Sequence, residues 1–268
     1  MFFNIARFTT FILISITIMM SIGVFMLRHH PTVKGGGVDF LLLILVGILN
    51  NCGYIYLLTI ERTKITCILS YLFDYIGFSL VFGSILVKTL RIYKIFYTKL
   101  NYQLALKKKT MYAIIFSLVL FYIIMLIIDI KNNWIDNKLS ISSDFKEFRK
   151  CVYSKFISLC MLLKFVILSF GCILSYLTRN VKRNFKENLN IPVYIYVLTK
   201  AMIKVISEND DISILAQDVF GCVGNTINTS VILYYLFINK LYTIYTLSKV
   251  EKNKTKIKYP VAIKIVIK

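Results

Sequence analysis

Four ionisable residues, Asp74, Lys164, Lys200 and Asp218, stand inside long stretches of otherwise apolar sequence. A charge among apolar neighbours costs several kcal/mol unless an opposite charge reaches it, so each should have a partner at its own depth. Asp74 follows Cys67 by seven residues and Lys164 follows Phe156 by eight, while Lys200 precedes Ser207 by seven and Asp218 follows Ile212 by six. Matched depths predict two pairs, Asp74–Lys164 and Lys200–Asp218, serving as internal braces, the simpler reading, or as contacts for a ligand. Cysteine offers a second chemistry. Cys67 and Cys151 sit at the edges of apolar stretches, whereas Cys52, Cys160, Cys172 and Cys222 lie within them and read as small apolar filler. The chain lacks H-E-x-x-H, G-x-x-x-x-G-K-[ST] and nucleophile-elbow patterns. His29 and His30 beside Pro31 read as a solvated turn, and Gly35-Gly36-Gly37 lacks the helix start and Lys that a phosphate loop needs. We expect no catalytic residue, no cofactor and no metal.

The elements that must hold these residues follow from composition. Of 268 residues, 57% are apolar and 17% charged, against roughly 25% charged in a soluble domain. A soluble enzyme and a disordered tail are both excluded. Lys and Arg outnumber Asp and Glu by 33 to 13, but the bases fall between apolar stretches and do not interleave with aromatics along one face. Nucleic acid is therefore not the expected partner. Segments 8–27, 40–60, 65–87, 111–128 and 156–177 can each cross a hydrocarbon layer of about 30 Å at ~1.5 Å per residue. Two weaker segments, 191–206 with Lys200 and Lys204 and 212–238 with Asp218, bring the spans to seven. Lipid offers no partner for backbone N–H and C=O groups, so the spans must be helices. The expected fold class is all-α, an integral membrane seven-transmembrane helix bundle over residues 1–245 with a basic tail over 246–268. The first span is read as retained, because its apolar run is too long for a signal peptide and no A-x-A-like site follows.

The bases also set orientation. With the amino terminus outside, the inner segments carry more than twice as many Lys and Arg as the outer ones, and the outer bases between 131 and 155 are interspersed with Asp136, Asp144 and Glu147. The positive-inside bias then puts the amino terminus outside and the tail in the cytoplasm. Cys67 and Cys151 both face an oxidising compartment in that arrangement. They either bridge, clamping the long outer loop over the third helix, or remain two unpaired thiols. The sequons at Asn228 and Asn253 fall within a span and inside the cell, so neither should be glycosylated.

The run from Cys67 to Phe96, with its outer Cys, Gly77-Phe78, Phe82-Gly83 and the exit Lys88-Thr-Leu-Arg-Ile-Tyr-Lys-Ile-Phe96, resembles the third helix of class C G-protein-coupled receptors, the metabotropic glutamate and GABA-B group. Thr178-Arg-Asn-Val-Lys-Arg-Asn-Phe-Lys-Glu-Asn-Leu-Asn-Ile191 is similar to that family's third inner loop, and Leu236-Phe-Ile-Asn-Lys-Leu-Tyr242 to the end of its seventh helix. The resemblance covers almost the whole chain. Lys186, Leu189 and Asn239 depart from the family's Asn, Lys and Pro, and Met202 stands where many members carry Trp. Only about seven residues precede the first span, so the family's large extracellular ligand-binding module is expected to be absent, through a truncated reading frame or in a shortened receptor.

The resemblance implies a plasma-membrane receptor that couples an extracellular signal, an amino-acid-like ligand, to a heterotrimeric G protein. It also implies a homo- or heterodimer with another class C subunit. Lys88, at the foot of helix three, is paired by that resemblance with Glu187, at the foot of helix six, as a lock of the resting state. The alternative has Lys88 snorkelling to lipid phosphates and Glu187 solvated. Arg91, Lys94, Phe96, Lys107, Lys108, Lys109, Arg179, Lys182, Arg183 and Phe185 form the expected coupling surface around a cleft between helices three and six. The same bases would meet anionic membrane lipid headgroups. An outer pocket, where small modulators of the family bind, would favour a zwitterion if the buried charges line it. The rivals are a small transporter or channel, whose paths intramembrane charges commonly mark, and a nonfunctional receptor fragment. An odd span count without an inverted repeat, and the absence of Gly- or Pro-broken half-helices, stand against transport.

Overall fold

A computed structural model describes residues 2–29, 37–96, 107–141, 147–178, 190–208 and 214–246. Its helices, in chain order, are α1 Phe2–Met26, α2 Val38–Leu58, α3 Lys64–Phe96, α4 Lys108–Lys131, α5 Phe156–Leu177, α6 Asn190–Glu208 and α7 Ile214–Leu233. A π-helical stretch, Tyr234–Ile238, continues α7, and helix resumes as far as Thr246. Six of the seven helices are long and apolar enough to cross a membrane; α6 holds a shorter apolar run, Ile191–Ile203. α1, α4 and α5 present Phe8, Met19, Phe116, Leu120, Leu162 and Ile173 on the exposed surface. Helices apolar on every side bury one face in the bundle and give the other to lipid.

α3 is the centre of the packing. It lies against α2, α4 and α5, while α7 lies against α1, α2 and α6, and α5 against α6 closes the ring. Tyr71, Tyr75, Phe78, Val81 and Ile85 of α3 are all buried. Between α2 and α3 the backbones come close because glycines face each other. A Cβ on Gly77 would collide with Asn51 Oδ1 and lie 3.2 Å from the Gly47 carbonyl oxygen, and one on Gly47 would meet Val81 Cγ2 at 2.7 Å. Small residues at a helix interface give the contact that lipid cannot supply by a hydrophobic effect.

Contacts between helix termini gather one end of the bundle. At the start of α1, Arg7 donates to Thr59 Oγ1 at 3.1 Å and to the Thr59 carbonyl at 2.8 Å, at the end of α2, where a cation complements the helix dipole. Lys64 Nζ at the start of α3 donates to Asn133 Oδ1 just past α4 at 3.1 Å.

The structure adds three things to the sequence reading. The loop between α4 and α5 contains an antiparallel hairpin, β1 Asp136–Ile141 with β2 Glu147–Val152, in which Asn137 opposes Cys151. α3 runs on to Phe96, well past Val87 where its apolar segment stops. Lys, Arg and Leu are good helix formers, so the bases end the apolar run without ending the helix. The first helix likewise begins at Phe2 and includes Arg7.

Candidate functional site

α3, α5 and α6 bring three charges together below the hairpin. Lys164 Nζ donates to Asp74 Oδ2 at 2.6 Å and Lys200 Nζ to Asp74 Oδ1 at 3.2 Å. The three side chains are only 12%, 19% and 20% exposed, for Lys164, Lys200 and Asp74 in turn. Aromatic rings complete the surroundings. The Lys164 ammonium stands 3.6 Å from the Tyr75 ring centroid and 5.3 Å from that of Phe78. Lys200 lies 5.7 Å from the Tyr54 ring and 5.5 Å from Tyr196. Phe82 and Tyr196, 4.1 Å apart by centroid, continue the aromatic layer across α3 and α6. A ring face attracts a cation best where water is excluded, so these tyrosines lower the cost of burying two ammonium groups.

The partner of Lys200 differs from the expected one. Lys200 turns to Asp74, and Asp218 on α7 is taken by the guanidinium of Arg62 from the turn between α2 and α3. Depth along the chain fixes how far a charge lies from the bundle end; it does not fix which neighbour that charge faces. Arg62 escaped the sequence reading because it sits in a turn, outside the apolar stretches where partners were sought. Its signal was its position next to the mouth, near the depth of Asp218.

Above the charges, Cys67 in the first turn of α3 forms a disulfide with Cys151 of β2, their Cα atoms 5.7 Å apart. Two hydrogen bonds reinforce it. Tyr153 Oη donates to the Cys67 carbonyl at 3.2 Å, and Asn137 Nδ2 donates to the Arg62 carbonyl at 3.1 Å. Burial pushes the Tyr153 phenol up to about 12, with Arg62 opposing and Asp74 adding to the rise. It therefore stays a protonated donor at neutral pH. Ser154 Oγ donates to Asp129 Oδ1 at 2.7 Å, tying the hairpin's exit to the end of α4.

At the opposite end, Lys88, Arg91 and Lys94 are half-buried on the last turns of α3, and Lys107, Lys108 and Lys109 are exposed at the start of α4. Lys108 Nζ lies 3.7 Å from Asp39 Oδ2 with both side chains more than half exposed, an arrangement worth little on its own. Phe96 ends α3. Glu187, Arg179, Lys182, Arg183 and Phe185 lie outside the described residues, as does the side chain of Lys204. Between α3, α5 and α6 runs a narrow, partly open groove lined by Phe82, Ile85, Thr89, Ile167, Gly171 and Val193 among others.

Compared with known protein families, residues 4–240 match the one described as "7 transmembrane sweet-taste receptor of 3 GCPR". No curated protein matches the chain.

Proposed function

This chain belongs to the seven-transmembrane domains of class C G-protein-coupled receptors, and from that membership we propose that it relays an extracellular signal, carried by an amino-acid-like ligand, to a heterotrimeric G protein. The observation that carries the proposal is the extent of the match, residues 4–240, which takes in every helix from α1 to the π-helical end of α7. The reading has the protein in the plasma membrane with its amino terminus outside, the orientation favoured by the excess of Lys and Arg in the alternate segments. The disulfide supports it, because such bonds persist in oxidising compartments. A second class C subunit is the expected partner in the membrane.

On this reading the coupling surface is the end of the bundle carrying Lys88, Arg91, Lys94 and Lys107 to Lys109, joined by Arg179, Lys182, Arg183 and Phe185 of the loop before α6. The groove between α3, α5 and α6 supports it as the seam along which α6 could part from α3. Bases at its rim would speed the approach of an acidic G-protein surface more than they would tighten it, and anionic lipid would share them. Lys88 and Glu187 would hold the resting state through a pair worth on the order of 1 kcal/mol, enough to shift a two-state equilibrium several-fold. The test measures nucleotide exchange by G-protein heterotrimers in membranes containing the full chain. Chain-dependent exchange, raised several-fold by Glu187→Ala at equal surface expression, is the expected result. No exchange with any heterotrimer class overturns the receptor reading; exchange that Glu187→Ala leaves unchanged removes only the lock.

A further inference from the structure

α4 ends in a turn that fixes how the chain leaves it. Asn133 adopts a left-handed φ of 52°. Its N–H donates to the Ile130 carbonyl at 3.1 Å and the Trp134 N–H donates to the Asp129 carbonyl at 3.0 Å, the paired bonds of a Schellman motif. Residues around Trp134 are pinned to the bundle: Asp129 is buried and held by Ser154, and Ile135 is fully buried. Trp134 itself, the chain's one tryptophan, stays 41% exposed. It stacks on Phe156, the first residue of α5 and 47% exposed, with ring centroids 5.5 Å apart and planes inclined by 20°. Lys131, the last residue of α4, and Lys155, just before α5, flank the pair in sequence, and both are exposed. Below the stack, Ile130 on α4 and Leu159 on α5 are exposed too, so the pair continues the apolar surface that these helices give to lipid.

A large aromatic pair held rigidly outside the core is unfavourable in water, while the indole N–H is unfavourable in hydrocarbon. The headgroup layer of a bilayer meets both demands, and ammonium groups at that level find phosphate oxygens within reach. We propose that Trp134 and Phe156, with Lys131 and Lys155, form a docking surface for the phospholipid headgroups of the leaflet nearest the disulfide. The aromatic pair lies among the ester groups, and the two lysines reach the phosphates. The β1–β2 hairpin is then held on two sides, to α3 by the disulfide and to the membrane at its root by this surface. The docking requires a bundle that spans a bilayer and is independent of G-protein coupling.

The test reads the fluorescence of Trp134 without any label, using the full chain in phosphatidylcholine nanodiscs loaded with one chain each. The acyl chains carry bromine either close to the ester groups or close to the chain ends, and acrylamide probes from the water. The wild type is expected to emit well to the blue of indole in water. Bromine near the esters should quench it several-fold more than bromine at the chain ends, and acrylamide only weakly. Emission at the wavelength of indole in water, with strong acrylamide quenching and no response to either bromine position, overturns the docking. Blue-shifted emission that no quencher reaches overturns it as well, because Trp134 would then be covered by protein. Lys131→Gln combined with Lys155→Gln should lose part of the quenching by bromine near the esters and gain acrylamide quenching. The same two lysines changed to Arg should keep the wild-type pattern. A Gln pair indistinguishable from the wild type would overturn the phosphate contact.

Discussion

A lysine 2.6 Å from a carboxylate and 3.6 Å from a tyrosine ring is held twice, and removing the carboxylate would leave both that lysine and Lys200 as unanswered buried charges. Breaking such a pair costs about 3–5 kcal/mol, far more than the pair contributes relative to an apolar replacement. Asp74→Lys and Lys164→Asp are each expected to abolish folded protein at the cell surface, and the double exchange to restore a measurable fraction of it. A double variant no better than either single one, scored by surface labelling, would remove this pairing as a determinant of folding. The pair itself was legible from the sequence, because matched depth within the apolar stretches sufficed to align Asp74 with Lys164. The choice made by Lys200 was not, since it depends on which face of α6 meets α3, and Arg62 was hidden by lying in a turn.

Among the elements, the approach of α2 to α3 makes the sharpest demand on side-chain size. At Gly77 an added methyl group meets Asn51 and the Gly47 carbonyl, whereas at Gly83 the nearest atom, of Ile115, is 3.6 Å away, an ordinary contact. Gly77→Ala should therefore lower stability by about 1–3 kcal/mol, the usual penalty of overpacking, whereas Gly83→Ala, buried but with room for the methyl group, should hold stability or raise it by up to about 1 kcal/mol through the better helix propensity of Ala. Thermal unfolding of the two variants side by side decides it, and equal Tm values would contradict the close approach. Spans were readable because a long run without charge has few alternatives in lipid. The hairpin between α4 and α5 was not readable, because its strands mix charged and apolar residues without clean alternation, and pairing plus the disulfide supplies what pattern does not. α3 and α1 extend beyond their apolar spans for a related reason: hydropathy marks where the apolar layer stops, and helix propensity continues past it.

For the whole molecule, an odd number of spans puts the two termini on opposite sides of the membrane. On the proposed orientation, an epitope at the amino terminus should bind antibody in intact cells, and one at the carboxyl terminus only after permeabilisation. Equal access to both would contradict seven crossings. The disulfide adds a consequence at this scale. It rivets the hairpin to the head of a 33-residue helix, about 50 Å long at ~1.5 Å per residue, and takes the slack out of that joint. A tug or twist on the hairpin acts on α3 as on a lever arm, and the far tip of that lever is the stretch bearing Lys88, Arg91 and Lys94.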